Sequence, residues 1–203
     1  MNKPNKLSRD FYLDDDVVGL AQSLLGKVFC TKIDDIFTSG KIVETEAYCG
    51  ATDKACHAHL NRRTKRTEIM FGTGGFAYVY LCYGIHHLFN IVTNQKNYAD
   101  AILIRAVEPL NGIEDMMERR GLNKQEYRLT AGPGVMSSAL GISTEHYGTD
   151  LTGNTIWIED HKETISPENI IASPRVGIDY AEEDALLPWR FRIAKNPWCS
   201  KAK

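Results

Sequence analysis

The sequence predicts a single α+β domain: a curved, mostly antiparallel β-sheet core with a protruding β-hairpin and surrounding helices. Three observations predict it. β-rich segments recur along the chain without the regular strand–helix rhythm of a parallel sheet. A tyrosine-rich segment, a Tyr–Gly pair and a second apolar segment follow one another as strand, turn and returning strand. No linker interrupts the 203 residues, a length that suits one domain spanning 1–203, with residues 1–9 expected to be flexible.

The elements follow in order. Val17, Leu20, Ala21, Leu24 and Leu25 recur at helical spacing and predict a helix over Asp15–Leu25, closed by Gly26 in the left-handed position. Val28–Ile33 and Lys41–Tyr48 are strands, joined by polar turns around Asp34–Asp35 and Ser39–Gly40. A polar stretch runs from Gly50 to Thr67, and Gly72–Gly75 is a breaker. Phe76–Cys82 is rich in aromatic and β-branched residues, Tyr83–Gly84 is its turn, and His87–Val92 returns. Ala101–Val107 is an apolar strand with one charge, Arg105. Leu110–Arg120 and Pro133–Leu140 are short helices, stopped by Gly121 and Gly141. Ile156–Glu159, Val176–Ile178 and Trp189–Ile193 are the later strands.

Composition bounds the function classes. Apolar residues make up 43% and charged residues 25%, as in an ordinary globular protein. No apolar run is long enough to span a membrane, and the first 16 residues hold no apolar stretch that would read as a secretion signal. A cytoplasmic protein, not a secreted one, is expected. Five cysteines without a CxxC spacing exclude a disulfide framework and a zinc finger; they are expected to be buried or half-buried thiols. His57, His59, His86 and His87 match no common zinc pattern, and neither a metal nor a cofactor is expected. Net charge is −2, so charge alone does not point to nucleic acid.

Local chemistry is more informative. In Ile42-Val43-Glu44-Thr45-Glu46-Ala47-Tyr48, strand alternation puts Glu44, Glu46 and Tyr48 on one face. Two carboxylates beside a tyrosine suit a general base with a stacking platform; the alternative is a polar face in water. Arg62, Arg63, Lys65 and Arg66 form a local positive patch suited to phosphates, or else a solvated loop. Tyr78 and Tyr80 share a strand face, and Tyr83 falls at the hairpin tip, as a wedge for stacked bases or a folded-back core aromatic. Arg105 in an apolar strand needs a partner, with Glu46 the candidate, unless it reaches water at an edge. Asn90 is an amide in a similar apolar setting, able to satisfy backbone groups or to read a base edge.

Taken together and in this order, the segments resemble the alkyladenine (3-methyladenine) DNA glycosylase family. The match runs from about Phe11 to Ser200. It rests on Leu24-Leu25-Gly26, the strand motif of residues 42–48, Asp53 to His57, Thr64 to Phe71 and Tyr78 to Asn90. It continues through residues 103–109, Ala131-Gly132-Pro133-Gly134, Pro174 to Ile178 and Pro188 to Phe191. The resemblance implies a monomeric enzyme of base excision repair that acts on damaged purines in double-stranded DNA, in the nucleoid of a bacterium or the nucleus of a eukaryote. Glu46 falls on the catalytic base, and Arg105 on the arginine that helps hold the catalytic water. Tyr48, His57 and Tyr80 fall on the base-stacking positions, and Asn90 on the residue that disfavours guanine. The backbone carbonyl of Val176 lines the water site. Tyr83 fills the gap left in the duplex, and Arg62, Thr64 and Arg66 contact DNA. One departure stands out: the lysine usual after Gly-Pro-Gly is Val135 here, which removes one expected phosphate contact.

Arg175 and Arg190 are expected to join Arg62, Arg63, Lys65 and Arg66 in one basic face. Two other readings share residues with this one. A non-catalytic binder of damaged or single-stranded nucleic acid would use the same tyrosines and arginines but gains nothing from Glu46. A hydrolase of free nucleosides or sugars would use Glu44 and Glu46 as a pair, roughly 6–7 Å apart at the backbone, and leaves Tyr83 without a purpose.

Overall fold

A 13-residue strand, β3 (Ile36–Tyr48), organises the molecule. In the computed structural model, which describes residues 5–201, it pairs with three other strands. Its first half forms a hairpin with β2 (Val28–Ile33), turning at Asp34 and Asp35, both left-handed. Its second half, Glu44–Glu46, pairs with β9 (Arg190–Ile193), and β6 (Asp100–Asn111) runs along the other edge. Flanked on both edges over its second half, the strand buries Ile42, Val43 and Ala47 completely, while Ile36 and Phe37 at its start stay exposed.

The sheet extends outward from β3. On one side, β2 pairs with β7 (Ile156–Asp160), and β7 with β1 (Asn5–Lys6). On the other, β6 pairs with β5 (His86–Thr93), and β5 with β4 (Ala77–Cys82). β8 (Ile170–Ser173) joins through β9. Among the described residues, all nine strands lie in one sheet, and every pairing between them is antiparallel. Helices α1 (Val17–Ser23), α2 (Ile113–Arg120) and α3 (Pro133–Ala139) pack around it. Asp16 caps α1 by accepting the Gly19 N–H at 2.8 Å. Gly26 takes φ +85°, as the closing position of that helix requires. Among the described residues, no helix is long and apolar enough to cross a membrane.

Several expectations are corrected. Ser39–Gly40 is not a turn but the middle of β3, where a register shift brings β6 close: a Cβ on Gly40 would meet Val107 Cγ2 at 2.6 Å. Leu110 and Asn111 continue β6 rather than opening a helix, because Gly112 turns left-handed and α2 starts at Ile113. Val176–Ile178 is not a strand, since Gly177 at φ +72° bends the chain away from the sheet. Within residues 1–9, Asn5–Lys6 pairs with β7, Leu7 is buried and Arg9 meets Asp150 at 2.6 Å; residues 1–4 lie outside the described residues. The five cysteines are free thiols, with Cys30 and Cys56 buried and the rest half-buried.

The β4–β5 hairpin positions one end of the site. Tyr83 (φ 51°) and Gly84 (φ 73°) make the tight left-handed turn that suits the strand twist. The tip stands clear of the body, with Tyr83 88% exposed and Leu81 and Ile85 exposed beside it.

Candidate active site

The two carboxylates of β3 are fully buried, so the water-facing reading of that strand face is overturned. Burying two acids on one strand face requires cations. A bulge supplies one: Glu44 pairs with Ala106 and Thr45 with Ile104, leaving Arg105 without a ladder partner of its own. Its side chain bridges the acids, Nε to Glu44 Oε1 at 2.8 Å and Nη1 to Glu46 Oε1 at 3.2 Å. Arg105 is therefore a buried bridge, not an edge residue reaching water. Arg190 Nε gives Glu44 a second cation at 2.8 Å. Burial alone would raise the Glu44 pKa, but Arg105, Arg190 and the Ser200 hydrogen bonds outweigh it and hold the acid below its usual range.

Beside its ion pair with Arg105, Glu46 accepts two hydrogen bonds, from the Tyr48 hydroxyl to Oε2 at 2.8 Å and from the Val176 N–H to Oε1 at 2.9 Å. A carboxylate offers about four lone-pair sites, so these two hydrogen bonds leave acceptor capacity for the cavity that Glu46 lines. Burial and the adjacent carboxylate push the Tyr48 phenol well above its ordinary pKa, so it serves as a donor. Arg175 stacks over the Tyr48 ring at 4.7 Å and is clamped by Asp53 through both terminal nitrogens. That clamp fixes the chain just before Val176, whose N–H reaches Glu46 because Gly177 lets the backbone bend there.

Above Glu46 lies a cavity of about 620 Å³ that opens toward the hairpin tip. Tyr48, His57, Tyr80 and Asn90 line it, with Arg105, Val176 and Tyr83 also on its wall. His57 and Tyr80 meet edge to face at 4.8 Å, and Tyr78 backs Tyr80 at 5.4 Å. His57 Nδ1 bonds the Tyr78 hydroxyl at 2.8 Å. Burial, aided by the Arg66 charge, pushes the His57 imidazole down to about 4, so it is neutral at pH 7. Burial likewise pushes the Tyr78 phenol up to about 12 and that of Tyr80 above its usual range. Asn90 Nδ2 donates to the Tyr78 carbonyl at 3.2 Å, which fixes its amide against the cavity wall.

The structure divides the expected basic face. Arg62, Arg63, Lys65 and Arg66 are exposed, and Arg62, Thr64 and Arg66 line a groove beside the cavity. Arg66 reaches further in, donating to Tyr78 at 3.0 Å and lying over Tyr80 at 4.7 Å. Arg175 and Arg190 do not belong to that face: both are buried, paired with Asp53 and Glu44. Sequence reasoning missed the arginines on the other side of the hairpin, where Arg119 and Arg120 share a groove with His86, His87 and Val135. It also missed the structural use of Arg175; its neighbour Pro174 and the acid Asp53 within a matched motif were the available signals.

With this geometry in place, comparisons with known proteins are consistent among themselves. The family model described as methylpurine-DNA glycosylase matches residues 10–197. A protein of Chlamydia felis is 48% identical over 188 residues, covering 92% of this chain and 95% of its own. One of Bacillus mycoides is 47% identical over 199 residues, covering 94% and 97%. One of Alkaliphilus oremlandii is 45% identical over 203 residues, covering 97% and 99%. All three bear the name "Putative 3-methyladenine DNA glycosylase". The chain belongs to the methylpurine-DNA glycosylase family, a family of DNA-repair hydrolases that act on N-glycosyl bonds.

Proposed function

We propose that this protein takes an alkylated purine out of double-stranded DNA into the cavity and hydrolyses its bond to deoxyribose with a water activated by Glu46. The observation that carries the reading is a buried carboxylate, held by two hydrogen bonds and the Arg105 ion pair, facing an aromatic cavity with acceptor capacity to spare. Alkylation at N3 or N7 makes the purine a cation. The neutral rings of Tyr48 and Tyr80 attract a cation by stacking, on the order of 1–2 kcal/mol in a dry pocket. Neutral His57 adds no opposing charge of its own.

The alkylated base leaves with the bonding electrons and becomes neutral. Its departure builds positive charge on the sugar, which the Glu46 carboxylate stabilises. The water gives its hydroxyl to the sugar carbon and its proton to Glu46. Arg105 and the Val176 backbone hold Glu46 and the water in line. Asn90 disfavours guanine at the wall, Tyr83 fills the space vacated in the duplex, and Arg62, Thr64 and Arg66 grip the backbone beside it. Among the described residues, no lysine lines the cavity. The reading is therefore a monofunctional enzyme that leaves an abasic site uncut, working as a monomer because one chain supplies every group.

The test is incubation of methylated duplex DNA with the protein, with chromatography of the released bases. Free 3-methyladenine and a strand that breaks only after alkali are expected. Lesion binding without base release would overturn the hydrolytic reading. A covalent adduct trapped by borohydride would overturn the monofunctional one.

A further inference from the structure

Ser200 lies beyond the stretch that the family model matches, which ends at residue 197. It is nevertheless 7% exposed and sits among the buried charges. Its N–H donates to Glu44 Oε2 at 2.5 Å and its hydroxyl to Glu44 Oε1 at 2.8 Å. The same hydroxyl oxygen accepts from Arg105 Nη2 at 3.4 Å and from Arg190 Nη2 at 3.2 Å. Glu44 also accepts Nε of both arginines at 2.8 Å and does not line the cavity. With its oxygens taken up in this way, Glu44 is placed to hold arginines rather than to receive a proton from substrate water.

We propose that Glu44 and Ser200 are positioning residues: the last residues of the described chain lock Arg105, and through it set the carboxylate of Glu46. A guanidinium is a rigid plane. Holding Nε on Glu44 and Nη2 on Ser200 fixes the direction of Nη1, the nitrogen that meets Glu46 at 3.2 Å. Cys199 ties the same segment to β3 by donating its thiol to the Val43 carbonyl at 3.4 Å. The proposal rests on the reading of Glu46 as the base.

The test compares Ser200→Ala and Ser200→Thr with the wild type, because Glu44→Gln risks unfolding. Single-turnover base release from methylated duplex is expected to fall roughly 10-fold in Ser200→Ala, the range for loss of an outer hydrogen bond that orients a working group. Affinity for lesion DNA stays within about twofold of the wild type, since no DNA-contacting group changes. Ser200→Thr restores most of the rate. Hydrogen exchange of the Arg105 Nε–H, read by nuclear magnetic resonance, speeds up in Ser200→Ala independently of activity. An unchanged release rate in Ser200→Ala overturns the proposal, as does a loss of folded protein with a normal rate per folded molecule. A wild type that releases no base overturns the functional reading instead, and the exchange experiment then still reports whether Ser200 fixes Arg105.

Discussion

Replacing Arg105 with methionine keeps the length of the side chain and removes its charge. Arg105 makes a 2.8 Å bond to Glu44, a 3.2 Å contact with Glu46 and a 3.4 Å contact with Ser200. After Arg105→Met, Glu44 keeps Arg190 and Ser200, but Glu46 keeps only the neutral donors Tyr48 and Val176. Removing one partner of a buried pair costs about 3–5 kcal/mol, and the remaining donors place this case near 3 kcal/mol. For a chain of this size, about 3 kcal/mol lowers the melting temperature by roughly 6–12 °C. The effect also has a pH signature. The Glu44 pKa is lowered in the folded protein, so its stabilisation is present above the ordinary carboxylate range and is lost as pH falls through the folded value. Without Arg105 that lowering is smaller and the variant has less to lose in acid. Thermal melts at pH 7 and at a series of lower values therefore show a gap that narrows as pH drops below about 4. A melting temperature within about 2 °C of the wild type at pH 7, or a gap that widens in acid, refutes the bridging argument.

Tyr83→Ser changes an 88% exposed side chain, so stability moves by no more than about 0.5 kcal/mol. Binding to lesion duplex nonetheless weakens in a gel-shift titration, and unchanged affinity removes Tyr83 as the wedge. Asn90→Ser removes the amide that donates to the Tyr78 carbonyl and raises release of guanine-derived bases relative to adenine-derived ones. A constant ratio rejects Asn90 as the discriminator. His57 titrates in the folded protein near 4 because burial and Arg66 disfavour its cation. The unfolded chain takes up that proton at about 6.5, so stability from neutral His57 is complete above that value and is lost as pH falls from there to about 4. Urea melts show the loss, His57→Phe flattens it, and an imidazole titrating at its ordinary value would contradict the burial argument.

Local signals placed most of the architecture. Asp34, Asp35 and Gly84 are residues that tolerate left-handed backbone, and the structure turns there. What sequence did not carry is which strands lie beside β3. Glu44-Thr45-Glu46 alternates as a half-exposed strand would, and only β6 and β9, far along the chain, close over both acids. The same limit explains Arg175 and Arg190: a charge count does not report burial, and both arginines serve acids more than 100 positions away in sequence. The motif around Val176 pointed to its carbonyl, whereas in the structure its N–H bonds Glu46, a contact that depends on the bend at Gly177. Strand β8 is four residues, two exposed and two half-buried, with no alternating pattern to find. Ser200 carried no signal, because its role exists only through the arginines packed around it.

The central claim is that Glu46 performs the chemistry rather than the binding. Glu46→Gln keeps the shape and still offers an oxygen to its donors, but it cannot take a proton from water. The decisive measurement is single-turnover release of 3-methyladenine from methylated duplex DNA by the wild type and Glu46→Gln, with lesion binding measured on the same preparations. The account predicts release lost by at least about 100-fold with binding within a few-fold of the wild type. Glu46→Gln releasing base at the wild-type rate, or losing binding together with activity, would contradict it.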